Sequence, residues 1–189
     1  MRRLPILALT VAALAAGCGN AQTQAPDTTT SAPSGGQSAA SYPRHGIAFK
    51  APAGWSLDQG RGALVATVQT GQATVAVWRY RRTEKLPKSQ AELKAARDAL
   101  LAETKKHDSS FEVIKTAPTE VAGKPAVQIR ARETIDGQPR TVRSTHIYSG
   151  GAEIVVDAYS DADSFRRVDA EVFRPLLRTL ELSKPQGSG

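Results

Sequence analysis

The chain has 189 residues, which is enough for one folded domain with a tail. Its 25 Lys and Arg residues outnumber its 18 Asp and Glu residues, so the formal net charge is +7. No dense run of basic residues stands out, and we therefore expect no nucleic-acid partner. Cys18 is the only cysteine, which excludes a disulfide within one molecule.

Residues 1–17 have the pattern of a secretory signal peptide. Arg2 and Arg3 precede an apolar run from Pro5 to Ala16, and this run is shorter than the roughly 20 residues that span a membrane. The next residues, which end in Cys18, resemble the lipobox of bacterial lipoproteins. That resemblance implies that the Cys18 thiol is diacylated, with palmitate-type chains, and that cleavage occurs in front of it.

Lipidation of Cys18 would also explain an unpaired thiol in an exported protein. The alternative is an ordinary signal peptide followed by an unmodified cysteine. Each buried acyl CH₂ contributes about 0.8 kcal/mol, and two chains anchor a protein stably where one does not. We predict a protein that is held at the extracytoplasmic face of a bacterial cell membrane, as actinobacterial lipoproteins are.

A polar stretch of low complexity follows the cysteine. Residues 19–41 contain no Val, Ile, Leu or aromatic residue, so they cannot bury enough apolar area to offset the entropy lost on ordering. We predict a disordered linker over residues 18–41, a folded domain over residues 42–184 and a disordered tail over residues 185–189.

Three short strands are predicted at the start of the domain, over residues 46–51, 63–69 and 73–81. The third strand is apolar on both faces, so we expect another element to cover each side of it. Three aromatic residues are candidates for a ligand groove, although such residues more often belong to a core. These residues are Trp55, Trp78 and Tyr80.

A helix is predicted from Ser89 to His107. Ser89 and Glu92 have the spacing of a capping box, and basic residues end the segment, where they complement the helix dipole. A further strand is predicted over residues 111–116.

Two long alternating segments, residues 126–135 and 138–148, are joined by Asp-Gly, a strong signal for a two-residue hairpin turn. This turn places Arg130 opposite Arg143. Together with Arg132, these arginines form a candidate face for an anionic lipid headgroup, a wall polymer or an acidic partner. The alternative, which we favour, is a solvated sheet face.

The same register places Ser144 near His146 on the inward face of the hairpin. A Ser–His pair on one strand face is compatible with nucleophilic catalysis. The alternative, which we favour, is a partly buried histidine that hydrogen-bonds to the backbone.

The next strand, residues 153–159, follows a Ser-Gly-Gly turn whose length decides its register. A three-residue turn would place Asp157 opposite Arg143 and relieve the repulsion from Arg130. A two-residue turn would place Asp157 beside Ser144. We predict the three-residue turn.

The last predicted element is an amphipathic helix that begins near Ser160. Pro175 interrupts its apolar stripe, so we expect two pieces, with the second beginning at Arg174 or Pro175.

Three short motifs point to a known fold: a P-x-G-W turn, a V-x-G-x-P-A segment and a closing helix with two Phe and a Leu pair. Their residues are Pro52, Gly54 and Trp55; Val121, Gly123, Pro125 and Ala126; and Phe165, Phe173, Leu176 and Leu177. They resemble the PsbP-like family, which includes a photosystem II extrinsic subunit, a nuclear-import factor and bacterial lipoproteins of the LpqN and DcrB type. The pattern of elements and the resemblance both predict an α+β fold, with an antiparallel sheet of about six to seven strands packed with two amphipathic helices.

None of the common catalytic motifs is present in the sequence, and its histidines lack metal-ligand spacing, so we predict neither a metal nor a cofactor. The favoured function is a non-catalytic binding or interaction module that is anchored to the membrane through Cys18. Its candidate partners are an envelope protein or an anionic lipid or wall polymer. The alternative is a small hydrolase or ligand carrier with a pocket between sheet and helices, which a deep cavity with converging polar groups would favour.

Overall fold

A computed structural model describes residues 36–71 and 73–187, and these residues form ten strands and three helices. The strands are β1 (Gln37–Tyr42), β2 (Ile47–Pro52), β3 (Ser56–Gln59), β4 (Leu64–Thr70), β5 (Ala73–Arg81), β6 (Glu112–Val121), β7 (Lys124–Ile135), β8 (Gln138–Ser149), β9 (Ala152–Ser160) and β10 (Glu181–Leu182). The helices are α1 (Gln90–His107), α2 (Ala162–Val168) and α3 (Arg174–Arg178), with a π-helical turn (Asp169–Phe173) between the last two. The predicted signal peptide, Cys18 and the linker as far as residue 35 lie outside the described residues.

Seven strands form the main sheet, in the order β3-β4-β5-β9-β8-β7-β6, and every pair in it is antiparallel. A smaller sheet has the order β1-β2-β10. The predicted α+β class is confirmed. The predicted register of the β7–β8 hairpin is also confirmed, because Arg130 lies opposite Arg143 and Ile129 lies opposite Ser144.

Helix α1 begins at the predicted capping box. The Ser89 hydroxyl accepts a hydrogen bond from the Glu92 N–H, and the Glu92 carboxylate accepts one from the Ser89 N–H at 2.9 Å. A hydrogen bond from Lys85, followed by bonds from the backbone N–H groups of Lys88 and Ser89, lowers the pKa of Glu92 to about 2. The capping box therefore satisfies the N–H groups of Ser89 and Glu92 within the chain.

The main sheet has a core on each of its two faces. The larger core lies between the main sheet, the small sheet and the C-terminal helical segments, and it includes Phe49, Val77 and Phe173. A smaller cluster lies under α1. It consists of Leu93, Phe111, Val127, Ile129, Ala131 and Tyr148. On β5, Val75 and Val77 belong to the larger core. Ala76 and Trp78, on the other face, are not part of the cluster under α1 but line a cavity, so the cover that we expected on both sides of β5 is present on one side only.

The C-terminal helix has two pieces, as predicted, and the second piece begins at Arg174. Asp169 lies in the π-helical turn between them and is 4% exposed. Its carboxylate is 2.7 Å from Arg143 on β8 and 2.6 Å from Arg174. Arg130 lies over the Phe165 ring at 5.2 Å. The hairpin face that we expected to be solvated is thus covered at Arg130 and Arg143 by this helical segment.

The predicted boundaries of the domain need correction at both ends. Strand β1 begins at Gln37, inside the predicted linker, and Ala40 is buried where it pairs with Phe49 of β2. Backbone pairing with β2 holds this strand, and the Tyr42 ring at its end stacks on Phe49 with centroids 5.9 Å apart. At the other end, the Gln186 N–H, within the predicted disordered tail, donates to the Pro43 carbonyl at 2.9 Å.

The predicted turn between β8 and β9 is wrong, because the turn has two residues rather than three. Ser149 pairs with Ala152, and only Gly150 and Gly151 lie between them. Both glycines have positive φ, 57° and 68°, which is the conformation that a two-residue hairpin turn with right-handed strand twist requires. Asp157 consequently lies opposite Ser144, and Arg143 lies opposite Ala158.

We predict that Asp169→Ala lowers the free energy of unfolding by about 3 kcal/mol, because it leaves Arg143 under the helix without its carboxylate partner. Glu171→Ala, in the same turn but exposed, is the control and should change stability by less than about 0.5 kcal/mol. Urea unfolding of both variants measures the difference. Equal effects of the two substitutions would show that the ion pair does not hold the helix on the sheet.

Candidate functional site

A cavity of about 500 Å³ lies between α1 and the face of the main sheet opposite the C-terminal helix. Helix α1 packs mainly against β6 and β7, and the cavity lies over the neighbouring strands β5, β8 and β9 of the same face. The apolar part of the cavity wall is large. It comprises Leu64, Ala76, Trp78, Phe111, Ile129, Ala131, Ile135, Val142 and Val155. Cavities of this size and composition are typical of small-molecule sites.

Four polar side chains form a hydrogen-bonded row on this face of the sheet, and three of them, Ser144, His146 and Asp157, line the cavity. His146 Nδ1 lies 2.6 Å from Glu153 Oε1, and His146 Nε2 lies 2.9 Å from Ser144 Oγ. The Ser144 hydroxyl donates to Asp157 Oδ1 at 2.5 Å. The row exists because alternation along β8 and β9 points these four residues to the same face of the sheet.

Glu153 is the ionised end of this row. It is 2% exposed, and Arg82 Nε donates to its Oε2 at 2.8 Å. Burial opposes ionisation of Glu153, but the hydrogen bonds from His146 and Arg82 outweigh it and lower the pKa of the carboxyl. The charge of Glu153 is thus matched within the protein.

Asp157 is in a different electrostatic position. Burial raises the pKa of Asp157, and the hydrogen bond from Ser144 offsets this only in part. Glu133 also faces the cavity, and burial followed by the charge of Asp157 raises its pKa. Burial and then Asp157 likewise raise the pKa of Tyr80. The cavity therefore combines apolar walls with two carboxyl groups that resist ionisation.

A second cavity, of about 550 Å³, lies between α1 and the segment that follows β5. Arg82, Tyr148 and Glu153 contribute polar groups to its wall. His146 lines the first cavity and Glu153 lines the second, so the hydrogen bond between them connects the two walls.

The predicted aromatic residues divide between the two faces of the sheet. Trp78 and Tyr80 line the first cavity, and their rings stack with centroids 6.1 Å apart and planes 10° apart. Trp55 packs instead against the core under the C-terminal helix. The structure therefore brings two of the three predicted groove residues together.

The predicted arginine face is mostly engaged within the chain. Arg130 and Arg143 contact the C-terminal helical segment, whereas Arg132 is exposed and forms an ion pair with Glu112 at 3.0 Å. Binding of an anionic partner stays a prediction, and Arg132 is the most accessible residue for it.

The sequence analysis did not identify Glu133, Glu153 and Asp157 as site residues. Alternation along β9 does place Glu153 and Asp157 on one face. The wrong turn length, however, assigned Asp157 to the face of Arg143. With a two-residue turn, the pattern would have grouped Asp157 with Ser144.

The order Ser144, His146 and Glu153 resembles a nucleophile, base and acid relay. Two features of the geometry oppose nucleophilic attack. Asp157 Oδ1 lies closer to Ser144 Oγ than His146 Nε2 does, at 2.5 Å against 2.9 Å, so it competes with His146 for the hydroxyl proton. Strand β8 also pairs with a neighbour on each side, so the amides around Ser144 are used by the sheet and cannot stabilise an oxyanion. Within residues 36–71 and 73–187, no group of three or more His, Cys, Asp and Glu residues is placed to hold a metal ion.

Comparison with known proteins finds similarity among solved structures, whereas no family model and no curated protein matches the chain. The solution structure of cyanobacterial PsbP (CyanoP) from Synechocystis sp. PCC 6803 has a TM-score of 0.60 at 12% identity, covering 78% of this chain and 92% of that one. The fold is PsbP-like.

A second structural neighbour is LpqN of Mycobacterium tuberculosis, described as involved in cell envelope biogenesis. Its crystal structure has a TM-score of 0.55 at 15% identity, covering 79% of this chain and 91% of that one. At such identities, the similarity establishes the fold alone. In the part of the chain that the structure describes, no helix is long and apolar enough to cross a membrane.

We predict that Asp157→Asn stabilises the protein near neutral pH. The raised pKa of Asp157 means that the folded state binds the carboxyl proton more tightly than the unfolded state does. In the unfolded state, the pKa of an Asp side chain is about 3.9. Stability therefore falls as pH rises from that value through the folded pKa. Asn removes this loss and still accepts the hydrogen bond from Ser144.

Urea unfolding across this pH range measures the difference between Asp157→Asn and wild type, which should be near zero in acid and grow as pH rises. Glu120→Gln, which alters an exposed carboxylate on β6, is the control and should match wild type throughout. A variant that is less stable than wild type at neutral pH would contradict this account of Asp157.

Proposed function

We propose that this protein is a non-catalytic binding module, anchored at the extracytoplasmic face of the cell membrane, whose ligand occupies the cavity between α1 and the main sheet. The cavity is the observation that carries the proposal. Its apolar wall would hold the body of a small molecule, and its few polar groups would orient it.

The cavity is open to solvent, and it leaves apolar side chains of the sheet face without the close packing that they would have in a protein interior. Here a large space adjoins Asp157 and Glu133, two carboxyls with raised pKa values. Groups that lower stability in this way concentrate at functional sites.

The proposed location at the membrane is supported by the N-terminal sequence and by one structural neighbour. The lipobox-like segment ending at Cys18 and the polar stretch after it support lipid anchoring. The envelope role stated for LpqN supports an envelope location for this chain as well.

The alternative function is a small hydrolase or a ligand carrier, and a ligand carrier agrees with the presence of the cavity. The hydrolase part has less support, because Asp157 competes with His146 for the hydroxyl proton of Ser144 and the amides nearby belong to the sheet. Binding without chemistry is therefore the function that this geometry supports best.

We predict that Ala131→Phe weakens binding of a neutral apolar dye, such as Nile red, by at least about tenfold, because the new ring fills the cavity. The space already present should let the ring fit with little loss of stability. Ala102→Phe makes the same change on an exposed position of α1 and serves as the control. Fluorescence titration gives both affinities. Equal binding by the two variants would place the dye elsewhere and contradict the proposal.

We predict that Cys18→Ser releases the protein from the membrane fraction without altering the circular dichroism of the folded domain, because it removes the acylated thiol. Fractionation of cells that express each form, followed by immunoblotting, measures the distribution. A Cys18→Ser protein that stays with the membrane would refute anchoring through this residue.

A further inference from the structure

We propose that the ligand of this cavity is a cationic amphiphile, with an ammonium group held near Asp157, Glu133 and the ring of Trp78, and an apolar body along the wall beneath α1. The inference rests on the proposed function and adds the chemical class of the ligand.

The charge of the cavity wall is the first observation. Asp157 and Glu133 face the cavity, and none of the described residues that line it is Lys or Arg. This is notable in a chain with a net charge of +7. Arg140 lies opposite Glu133 in the β7–β8 register, but it is not part of the wall. Electrostatic complementarity thus favours a cation over an anion.

The second observation is that the carboxyl groups in and beside the cavity differ in their partners. Glu153 is already matched by His146 and Arg82, so it has no need of a ligand cation. Asp157 accepts its hydrogen bond from a neutral hydroxyl, that of Ser144, while burial and then the charges of Asp157 and Asp108 oppose ionisation of Glu133. An ammonium group in the cavity would therefore stabilise the ionised form of two carboxyls whose ionisation burial disfavours.

An aromatic surface next to these carboxyls is the third observation. Ala76 pairs with Asp157 across β5 and β9, and Trp78 is two residues further along the same face of β5. Tyr80 stacks on Trp78 and is 38% exposed, so the aromatic pair extends to the outside of the protein. Aromatic rings that adjoin carboxylates are favourable surroundings for an alkylammonium group.

An anionic or zwitterionic headgroup would fit this wall less well. An anion would lose its water and meet two carboxyls of its own sign, which costs free energy that no lining cation returns. The apolar residues Ile129, Val142 and Val155 provide the surface for an alkyl or aryl body. Charge and shape together select a molecule with one positive end.

The test uses dodecyltrimethylammonium, dodecanol and dodecanoate, which share one alkyl chain and differ in charge, each below its aggregation concentration. The protein is the full chain with Cys18→Ser and Trp55→Phe, so that Trp78 fluorescence reports on the cavity. We expect the cation to bind at least about tenfold more tightly than the anion. Asp157→Asn should reduce this preference to about threefold or less, and adding Glu133→Gln should reduce it further. Glu171→Gln, an exposed carboxylate on the opposite side, should retain it.

The possible outcomes separate this inference from the proposed function. Equal or tighter binding of dodecanoate, or an undiminished preference in Asp157→Asn that remains folded by circular dichroism, overturns the cationic ligand. If dodecanol then still binds and Ala131→Phe abolishes that binding, the ligand cavity stands without its charge selectivity. If none of the three amphiphiles binds, the cavity proposal fails as well.

Discussion

The two-residue turn between β8 and β9 is the constraint on which the candidate site depends. Gly150 and Gly151 have positive φ, a backbone conformation that residues other than Gly, Asn and Asp rarely adopt. The resulting register places Ser144 opposite Asp157 and Tyr148 opposite Glu153. A shift of one residue would turn both carboxylates of β9 to the other face and would dismantle the polar row.

The two faces of the main sheet consequently have different chemistry. On one face, Arg143 and Arg174 neutralise Asp169, and the C-terminal helix closes over a continuous apolar core. On the other face, α1 covers the sheet only in part, and Asp157 adjoins an open cavity. The first face contributes stability. The second gives up some stability through Asp157 and Glu133, because burial opposes the ionisation of both carboxyls, and such a cost is common at functional sites.

Several features could be predicted because a local rule determines them. The Asp-Gly turn fixed the β7–β8 register, the capping box fixed the start of α1, and Pro175 divided the last helix. These rules act within a few residues, so the sequence alone was enough for them. The antiparallel sheet and the resemblance to the PsbP-like fold followed from the same elements.

Other features depend on contacts that no local pattern records. Strand β1 has no apolar side chain larger than that of alanine before Tyr42, and its place in a sheet comes from backbone pairing with β2 and from the stacking of Tyr42 on Phe49. The Ser-Gly-Gly turn permits two lengths, and the repulsion between Arg130 and Arg143 suggested the wrong one. In the structure, Asp169 pairs with Arg143 and the Phe165 ring lies against Arg130, and these contacts offset the repulsion between the two arginines. The cavity could not be predicted, because it depends on how far α1 extends over the sheet.

The central claim is that a small molecule binds on the α1 face of the sheet. Methyl NMR spectroscopy of the full Cys18→Ser chain, titrated with dodecyltrimethylammonium, tests it most directly. The account predicts that shift changes concentrate on methyl groups of the cavity wall, such as those of Ile129 and Val142, while those of Val77 and Ile154 in the opposite core change little. Changes centred on the opposite core, or spread evenly over both faces, would contradict it.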